Sequence, residues 1–166
     1  MKTRSIVLLL TLVFSVTFAL AQSEAQKSFA ALKSLAGVWQ GKDILGHAAQ
    51  VSYRVTGGGS ALLSELVEPE GGEHMITMFH LDGDRLLLTH YCTAGNQPRM
   101  KATASPDGKT MAFDFLDATN LDRPATGHMR RVVFTLLDAD HHTEEWTFVE
   151  GGKKTKDVFD LRRRKS

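Results

Sequence analysis

The sequence predicts an all-β protein: an antiparallel up-and-down β-barrel of about ten strands with a short N-terminal helix. Short apolar-rich segments recur about every 10–13 residues, and turn residues separate them. The segments follow one another without the intervening helices that parallel strands need. So many strands leave exposed sheet edges unless the sheet closes, and a barrel closes it. A two-sheet sandwich is the alternative, because strand spacing does not separate the two.

Residues 1–21 have the organisation of a secretory signal peptide. Lys2 and Arg4 supply the positive start, an apolar stretch follows, and Ala19-Leu20-Ala21 is a small-residue cleavage site. The stretch is short for a membrane-spanning helix, which needs about 20 residues, and an uncleaved anchor is the alternative. We therefore expect cleavage and a domain over 22–166. The product is expected to be exported, periplasmic or secreted, with no transmembrane segment.

A short helix is predicted over 28–35, because Phe29, Leu32 and Leu35 recur at helical spacing and Gly37 follows. After it the period changes to that of strands, as in 48–56, where apolar and polar residues alternate. Gly, Pro, Asn and Asp mark the ends of the segments. The predicted strands are 38–44, 48–56, 61–68, 74–81, 85–92, 99–104, 110–116, 128–137, 143–150 and 155–162.

Composition excludes several classes of protein. The 166 residues contain 20 Lys and Arg against 19 Asp and Glu, so the basic excess that duplex-binding proteins carry is missing and no nucleic-acid partner is expected. Cys92 is the single cysteine, which excludes a disulfide within the chain. A buried apolar role is expected for Cys92, with a reactive thiol or an intermolecular bridge as alternatives.

The segment Gly37-Val38-Trp39-Gln40-Gly41 stands at the entrance of the first predicted strand. This G-x-W-x-G pattern resembles the opening of the calycin superfamily, which contains lipocalins, fatty-acid-binding proteins and nitrobindin-like barrels. The stretch 57–62 is similar to bacterial exported proteins of the DUF1579 type. The resemblance implies structural roles for Gly37, Trp39 and Gly41, with Trp39 closing one barrel end against Arg162 or Arg163 of the last strand.

The same resemblance does not extend to haem. Haem-binding nitrobindins use a histidine near the C-terminus as the iron ligand, and the segment 157–166 contains none. The sequence therefore names no cofactor.

Ligand-binding candidates fall into two groups. His80, His90 and Trp146 are predicted on strands, as polar or aromatic groups facing a barrel interior. A second group surrounds the loop after the fifth strand and offers a phenol, an amide and a guanidinium: Tyr91, Asn96 and Arg99. A structured surface turn is the alternative for this second group.

A metal site is a further hypothesis. If His80 pairs with Leu86 across the hairpin, then His74, His90 and Cys92 lie on one face and near one end. Imidazole and thiolate are ligands for zinc or copper. Ordinary hydrogen bonding is the alternative.

The ninth strand places His142, Glu144 and Trp146 on one face, and the sequence favours an exposed acidic face with Trp146 at its boundary.

Three functions remain open. The first is a barrel that holds a small hydrophobic or amphipathic molecule inside, with Met78, Leu88, Phe113, Phe115, Phe134 and Trp146 in its core. The second is an enzyme that uses histidines as acid–base groups or metal ligands, although a binding protein is favoured over an enzyme. The third is a solid barrel that acts as a cell-envelope interaction module.

Overall fold

The chain forms a closed β-barrel in a computed structural model that describes residues 22–67 and 74–165. The predicted signal peptide and the end of the predicted strand 61–68 lie outside these residues. The strands are β1 (Gly37–Lys42), β2 (Ala48–Thr56), β3 (Ala61–Val67), β4 (His74–Asp82), β5 (Arg85–Tyr91), β6 (Gln97–Ala104), β7 (Thr110–Thr119), β8 (His128–Asp138), β9 (His141–Glu150) and β10 (Lys153–Arg163).

The predicted fold class is confirmed. Each strand pairs antiparallel with its neighbour in the chain, and β1 closes the barrel by pairing with β10. Closure removes the unpaired edges of the sheet, so a sandwich is excluded. Among the described residues, no helix combines the length and the apolar content that crossing a membrane requires.

The helix α1 (Glu24–Lys33) begins earlier than predicted, because Ser23 and Gln26 form a capping box. The backbone N–H of Gln26 donates to Ser23 Oγ, and that of Ser23 donates to the Gln26 side chain at 2.9 Å. The buried residues Phe29 and Leu32 join the barrel core. The helix lies beside the β4–β5 and β6–β7 turns, and it covers that end of the barrel. We call this the closed end.

Large apolar side chains fill the interior near the closed end. The rings of Phe79, Phe113 and Phe134 contact one another edge to face, with centroids 5.6–5.9 Å apart. All three side chains are fully buried, which is the arrangement of a packed core rather than of a pore. We call the following group the apolar layer: Trp39, Leu62, Phe79, Leu86, Met111, Phe113 and Phe134.

The pairing of β1 with β10 explains Gly41. A Cβ atom at this position would lie 1.7 Å from the backbone oxygen of Asp160, so a larger residue would force the two strands apart. Gly37 adopts a φ of +131°, which disfavours other residues. The short glycine-containing motif therefore closes the barrel at its seam.

Trp39 lies fully buried near the closed end, and its indole N–H donates to the backbone oxygen of Leu35 at 2.7 Å. The guanidinium that stacks on its ring, at 4.3 Å from the centroid, belongs to Arg163 and not to Arg162. Arg162 is exposed, because successive residues of a strand point to opposite faces. Of the two arginines expected from the resemblance, Arg163 is therefore the partner of Trp39, and a structural role for Arg162 is corrected. The guanidinium of Arg163 also donates to the backbone oxygens of Ser34 and Ala36.

Candidate functional site

Polar side chains share the interior with the apolar layer, because Glu144 pairs with Phe134 across β8 and β9 and the His142 ring contacts that of Trp39 with centroids 4.3 Å apart. They are inward-facing residues of β2, β3, β4, β5 and β9, all buried. Buried polar groups are costly unless they are hydrogen-bonded, so each needs an account of its partners. We call this group the polar layer: Tyr53, Ser64, Thr77, His90, His142, Glu144 and Trp146.

Glu144 is the centre of the polar layer. The Tyr53 hydroxyl donates to its Oε1, and the Trp146 indole N–H donates to its Oε2 at 2.9 Å. His142 Nε2 lies 3.2 Å from the Tyr53 hydroxyl and 3.5 Å from Glu144 Oε1. Because β1 and β10 separate β2 from β9 in the barrel, the Tyr53–Glu144 bond crosses the interior. This hydrogen bond links β2 to β9 and places a polar group in the barrel interior.

Burial determines the protonation of two members of the polar layer. Desolvation, together with the nearby Glu144 carboxylate, raises the pKa of Tyr53 well above its ordinary value. Desolvation lowers the pKa of His90 to about 4, although Glu144 opposes the shift. At neutral pH Tyr53 is therefore a protonated phenol, and His90 is a neutral imidazole.

His90 is fixed on two sides. Its Nδ1 lies 2.9 Å from Thr77 Oγ1, which belongs to the residue directly opposite on β4. Its ring packs on that of Trp146, with centroids 4.6 Å apart. Its Nε2 has no hydrogen-bond partner among residues 22–67 and 74–165, and the same holds for Nδ1 of His142. The polar layer thus keeps two imidazole nitrogens without partners in the described part of the chain.

A cavity of about 630 Å³ lies at the end of the barrel opposite the helix, which we call the open end. Its wall includes Cys92 and Phe148, each two residues beyond a member of the polar layer on the same strand. Two residues along a strand face the same way, so His90 and Trp146 form the next layer beneath the cavity. The rest of the wall comprises Thr93, Ala94, Met129, Glu150, Lys153 and Thr155.

The structure brings two of the predicted ligand-binding residues, His90 and Trp146, into direct contact in the interior. His80 and Tyr91 lie elsewhere, on the outer face of the barrel, and Tyr91 is 51% exposed. Among the predicted core residues, Met78 also faces outward.

The other two ligand-binding candidates lie at the loop between β5 and β6. Arg99 forms an exposed ion pair with Asp117, with 2.6 Å from Nε to the carboxylate. Asn96 is fully buried, and its amide donates to the backbone oxygen of Gly127 at 2.7 Å. Asn96 therefore ties this loop to the start of β8.

The register of the β4–β5 hairpin differs from the predicted one. Asp82 pairs with Arg85, so the turn has two residues, and His80 pairs with Leu87 instead of Leu86. A shift of one residue moves a whole set of side chains to the other face. The shared face that was predicted for His74 and His90 is therefore wrong.

The metal candidates are separated as a result. His74 is exposed and lies 2.8 Å from Glu65, whereas His90 is buried in the polar layer. Cys92 lies half-buried at the open-end cavity, which corrects the expectation of a buried side chain. In the described part of the chain, no three His, Cys, Asp or Glu side chains are grouped so that they would hold a metal ion.

Sequence reasoning missed the central residues of the polar layer. His142, Glu144 and Trp146 do share a face of β9, as predicted, but that face points inward and is buried. The exposed acidic face expected there is wrong. Trp146 was the available signal, because a large aromatic residue usually identifies the buried face of a strand. No local signal identified Tyr53, whose partners lie far away in sequence.

The comparisons with known proteins support the fold. No protein-family model matches the chain, and no curated protein matches it. Among solved structures, the chain is similar to the crystal structure of Rv2717c from M. tuberculosis, with a TM-score of 0.57 and 15% sequence identity. The match covers 83% of this chain and 98% of that one. At this identity the similarity concerns the fold alone, and the chain is a ten-stranded antiparallel β-barrel with a solved structural neighbour.

Proposed function

We propose that this chain is an exported, calycin-like barrel that binds a small, partly apolar molecule at its open end. The observation that carries the proposal is the open-end cavity, whose wall includes Cys92 and Phe148, the inward-facing residues two positions after His90 of β5 and Trp146 of β9. A cavity of about 630 Å³ has the size of typical small-molecule sites. The signal-peptide pattern of 1–21 supports export.

The distribution of side chains favours binding at this end. Small-molecule sites combine apolar walls with a few placed polar groups. Met129 and Phe148 supply apolar surface in the cavity wall, and Glu150, Lys153 and Thr155 supply polar groups. The apolar layer fills the interior near the closed end, so the open-end cavity is the space that we assign to the ligand.

Acid–base catalysis is the second candidate, because shifted pKa values such as those of Tyr53 and His90 often occur at active sites. The hydrogen bonds of Glu144 count against it. Each of its carboxylate oxygens already accepts a bond from a protein donor. Glu144 is thus engaged in holding Tyr53 and Trp146, and binding is the better supported function.

Mass spectrometry of the protein purified from its own exported fraction tests both parts of the proposal. We expect a mature chain that begins at Gln22. We also expect an additional mass under native conditions that disappears on denaturation. A chain that retains 1–21 in the soluble fraction would contradict the cleavage. Equal native and denatured masses would remove the support for a bound molecule.

A pair of matched variants then locates the binding site. Thr155→Phe places a bulky side chain in the wall of the cavity, whereas Thr143→Phe places the same side chain on the outer face of β9. We expect the first variant to lose the bound molecule and the second to retain it, with both folded by circular dichroism. Retention by both variants would contradict binding at the open end.

A further inference from the structure

The orientation of His90 follows from its hydrogen bond and its position on β5. The side chain points inward, and Nδ1 is held by Thr77 on the neighbouring strand. Nε2 is the ring nitrogen farther from the backbone, and His90 precedes Cys92 of the cavity wall by two residues on the same face of the strand. This nitrogen has no partner within the described part of the chain, and the His90 side chain is almost completely buried. A buried polar atom without a partner is destabilising, and a ligand hydrogen bond removes that cost.

The charges around His90 limit what this partner can be. Glu144 is the buried carboxylate of the same layer, and it is close enough to influence the titration of His90. An anionic head group beside His90 would meet this carboxylate, and His90 itself is neutral and offers no compensating charge. Glu150 and Lys153 carry opposite charges at the cavity wall, so together they give the open-end cavity no strong preference for an anionic or a cationic ligand.

A cationic head group is disfavoured for a different reason. Removing an ammonium group from water is costly unless it gains a carboxylate and further hydrogen bonds. Both oxygens of Glu144 already accept bonds, from Tyr53 and from Trp146. An ammonium group would have to compete with these donors.

We propose that the ligand carries an uncharged hydroxyl group, an alcohol or a phenol, which hydrogen-bonds to Nε2 of His90. A hydroxyl group both donates and accepts, so it satisfies Nε2 in either tautomer of the ring. Trp146 packs on the His90 ring and supplies an aromatic surface beside the hydroxyl. The inference rests on the proposed binding function and adds the chemical class of the ligand.

Four probes that share one fused aromatic body separate the alternatives: naphthalene, naphthol, naphthoate and naphthylmethylammonium. Their affinities for the mature full-length domain are measured at pH 7 through quenching of tryptophan fluorescence and by calorimetry. We expect naphthol to bind on the order of 3- to 10-fold more tightly than naphthalene, which is the usual effect of one added hydrogen bond. We expect naphthoate and naphthylmethylammonium to bind more weakly than naphthalene.

Variants at position 90 test the role of the imidazole. His90→Phe keeps an aromatic ring but removes Nε2, so it should abolish the preference for naphthol over naphthalene. His90→Gln keeps a polar group of similar reach and should retain part of the preference. Tyr91→Phe changes the next residue, which lies on the outer face, and should have no effect. Circular dichroism and thermal unfolding establish that each variant is folded.

The outcomes separate this inference from the proposed function. Equal binding of naphthalene and naphthol would overturn the hydroxyl inference and leave the binding function standing. Tighter binding of either charged probe, or a naphthol preference that survives in folded His90→Phe, would also overturn it. If none of the four probes binds to the folded domain, the proposed function falls and this inference falls with it.

Discussion

The apolar layer and the polar layer of the barrel interior differ in how their side chains are satisfied. At the closed end, Phe79, Phe113 and Phe134 contact one another and are fully buried beneath α1. Beside them, the polar layer depends on specific hydrogen bonds, and two of its imidazole nitrogens have no partner among the residues described. Above it lies the open-end cavity.

The difference indicates different roles for the two groups of side chains. Apolar packing requires no defined partner and contributes through the area it removes from water. Buried polar groups stabilise only when they are paired, and an unpaired one is costly. We therefore expect the apolar layer to contribute most to the free energy of unfolding. We expect the unpaired groups of the polar layer to lower it and to serve ligand recognition.

The largest effect is expected in the apolar layer. Phe113→Ala removes a fully buried ring that contacts two others, which costs about 3–5 kcal/mol of unfolding free energy. Denaturant unfolding measures this loss. The folded fraction of the variant should bind small molecules with unchanged affinity. Leu137→Ala, at a residue that is 47% exposed, is the control and should cost less than about 0.5 kcal/mol. A loss below about 1 kcal/mol for Phe113→Ala would contradict a tightly packed closed end.

The second prediction concerns pH and His90. Burial lowers the pKa of His90 from 6.5 to about 4, so between these values the unfolded chain binds more protons than the folded one. The free energy of unfolding should therefore fall as the pH is lowered from about 6.5 to about 4. The His90 contribution to this loss is on the order of 3 kcal/mol.

Denaturant unfolding of His90→Phe between pH 4 and 7 isolates that contribution, since the other titrating groups are retained. The variant should show a shallower decline in unfolding free energy than the unmodified chain. His74→Phe is the control, because His74 is exposed. Parallel curves for His90→Phe and the unmodified chain would show that His90 is not buried in its neutral form.

The third prediction tests the hydrogen bond between Tyr53 and Glu144. Tyr53→Phe removes the hydroxyl that donates to Glu144 across the lumen, which leaves Oε1 without that donor. We expect a loss of about 1–3 kcal/mol in thermal or denaturant unfolding. Tyr91→Phe removes the same hydroxyl from an exposed ring and should change stability by less than about 0.5 kcal/mol. Equal effects of the two variants would mean that the Tyr53–Glu144 bond contributes nothing.

The smallest effect is expected at the seam beside the closed end. Arg163→Ala removes the stacking on Trp39 and the bonds to the backbone oxygens of Ser34 and Ala36, which should cost about 1–2 kcal/mol. Arg162→Ala is the matched control on the outer face and should be nearly neutral. A larger loss for Arg162→Ala than for Arg163→Ala would contradict the contact of Arg163 with Trp39 and the exposed position of Arg162.

Much of the fold was predictable because local signals mark each strand. The second strand was predicted with its observed limits, since alternation and the following glycines define it from Ala48 to Thr56. The start of α1 was missed because its capping residues, Ser23 and Gln26, lie outside the apolar repeat that predicted the helix.

The candidate site was predicted less well, and the β4–β5 hairpin shows why. Ile76 and Met78 on the outer face are about as apolar as Met75 and Phe79 on the inner face, so alternation does not identify the buried side. The turn therefore decided the register, and a two-residue turn instead of a three-residue one moved His80 outward.

By itself, the sequence determined the all-β class, the order of ten strands and the importance of Gly37, Trp39 and Gly41. These properties depend on neighbours along the chain, such as turn residues, alternation and a motif at a strand entrance. The tertiary structure decided which face of each strand is buried and that Arg163 stacks on Trp39. It also joined Tyr53 to Glu144 across the lumen, because closure of the barrel brings together strands that are distant in sequence.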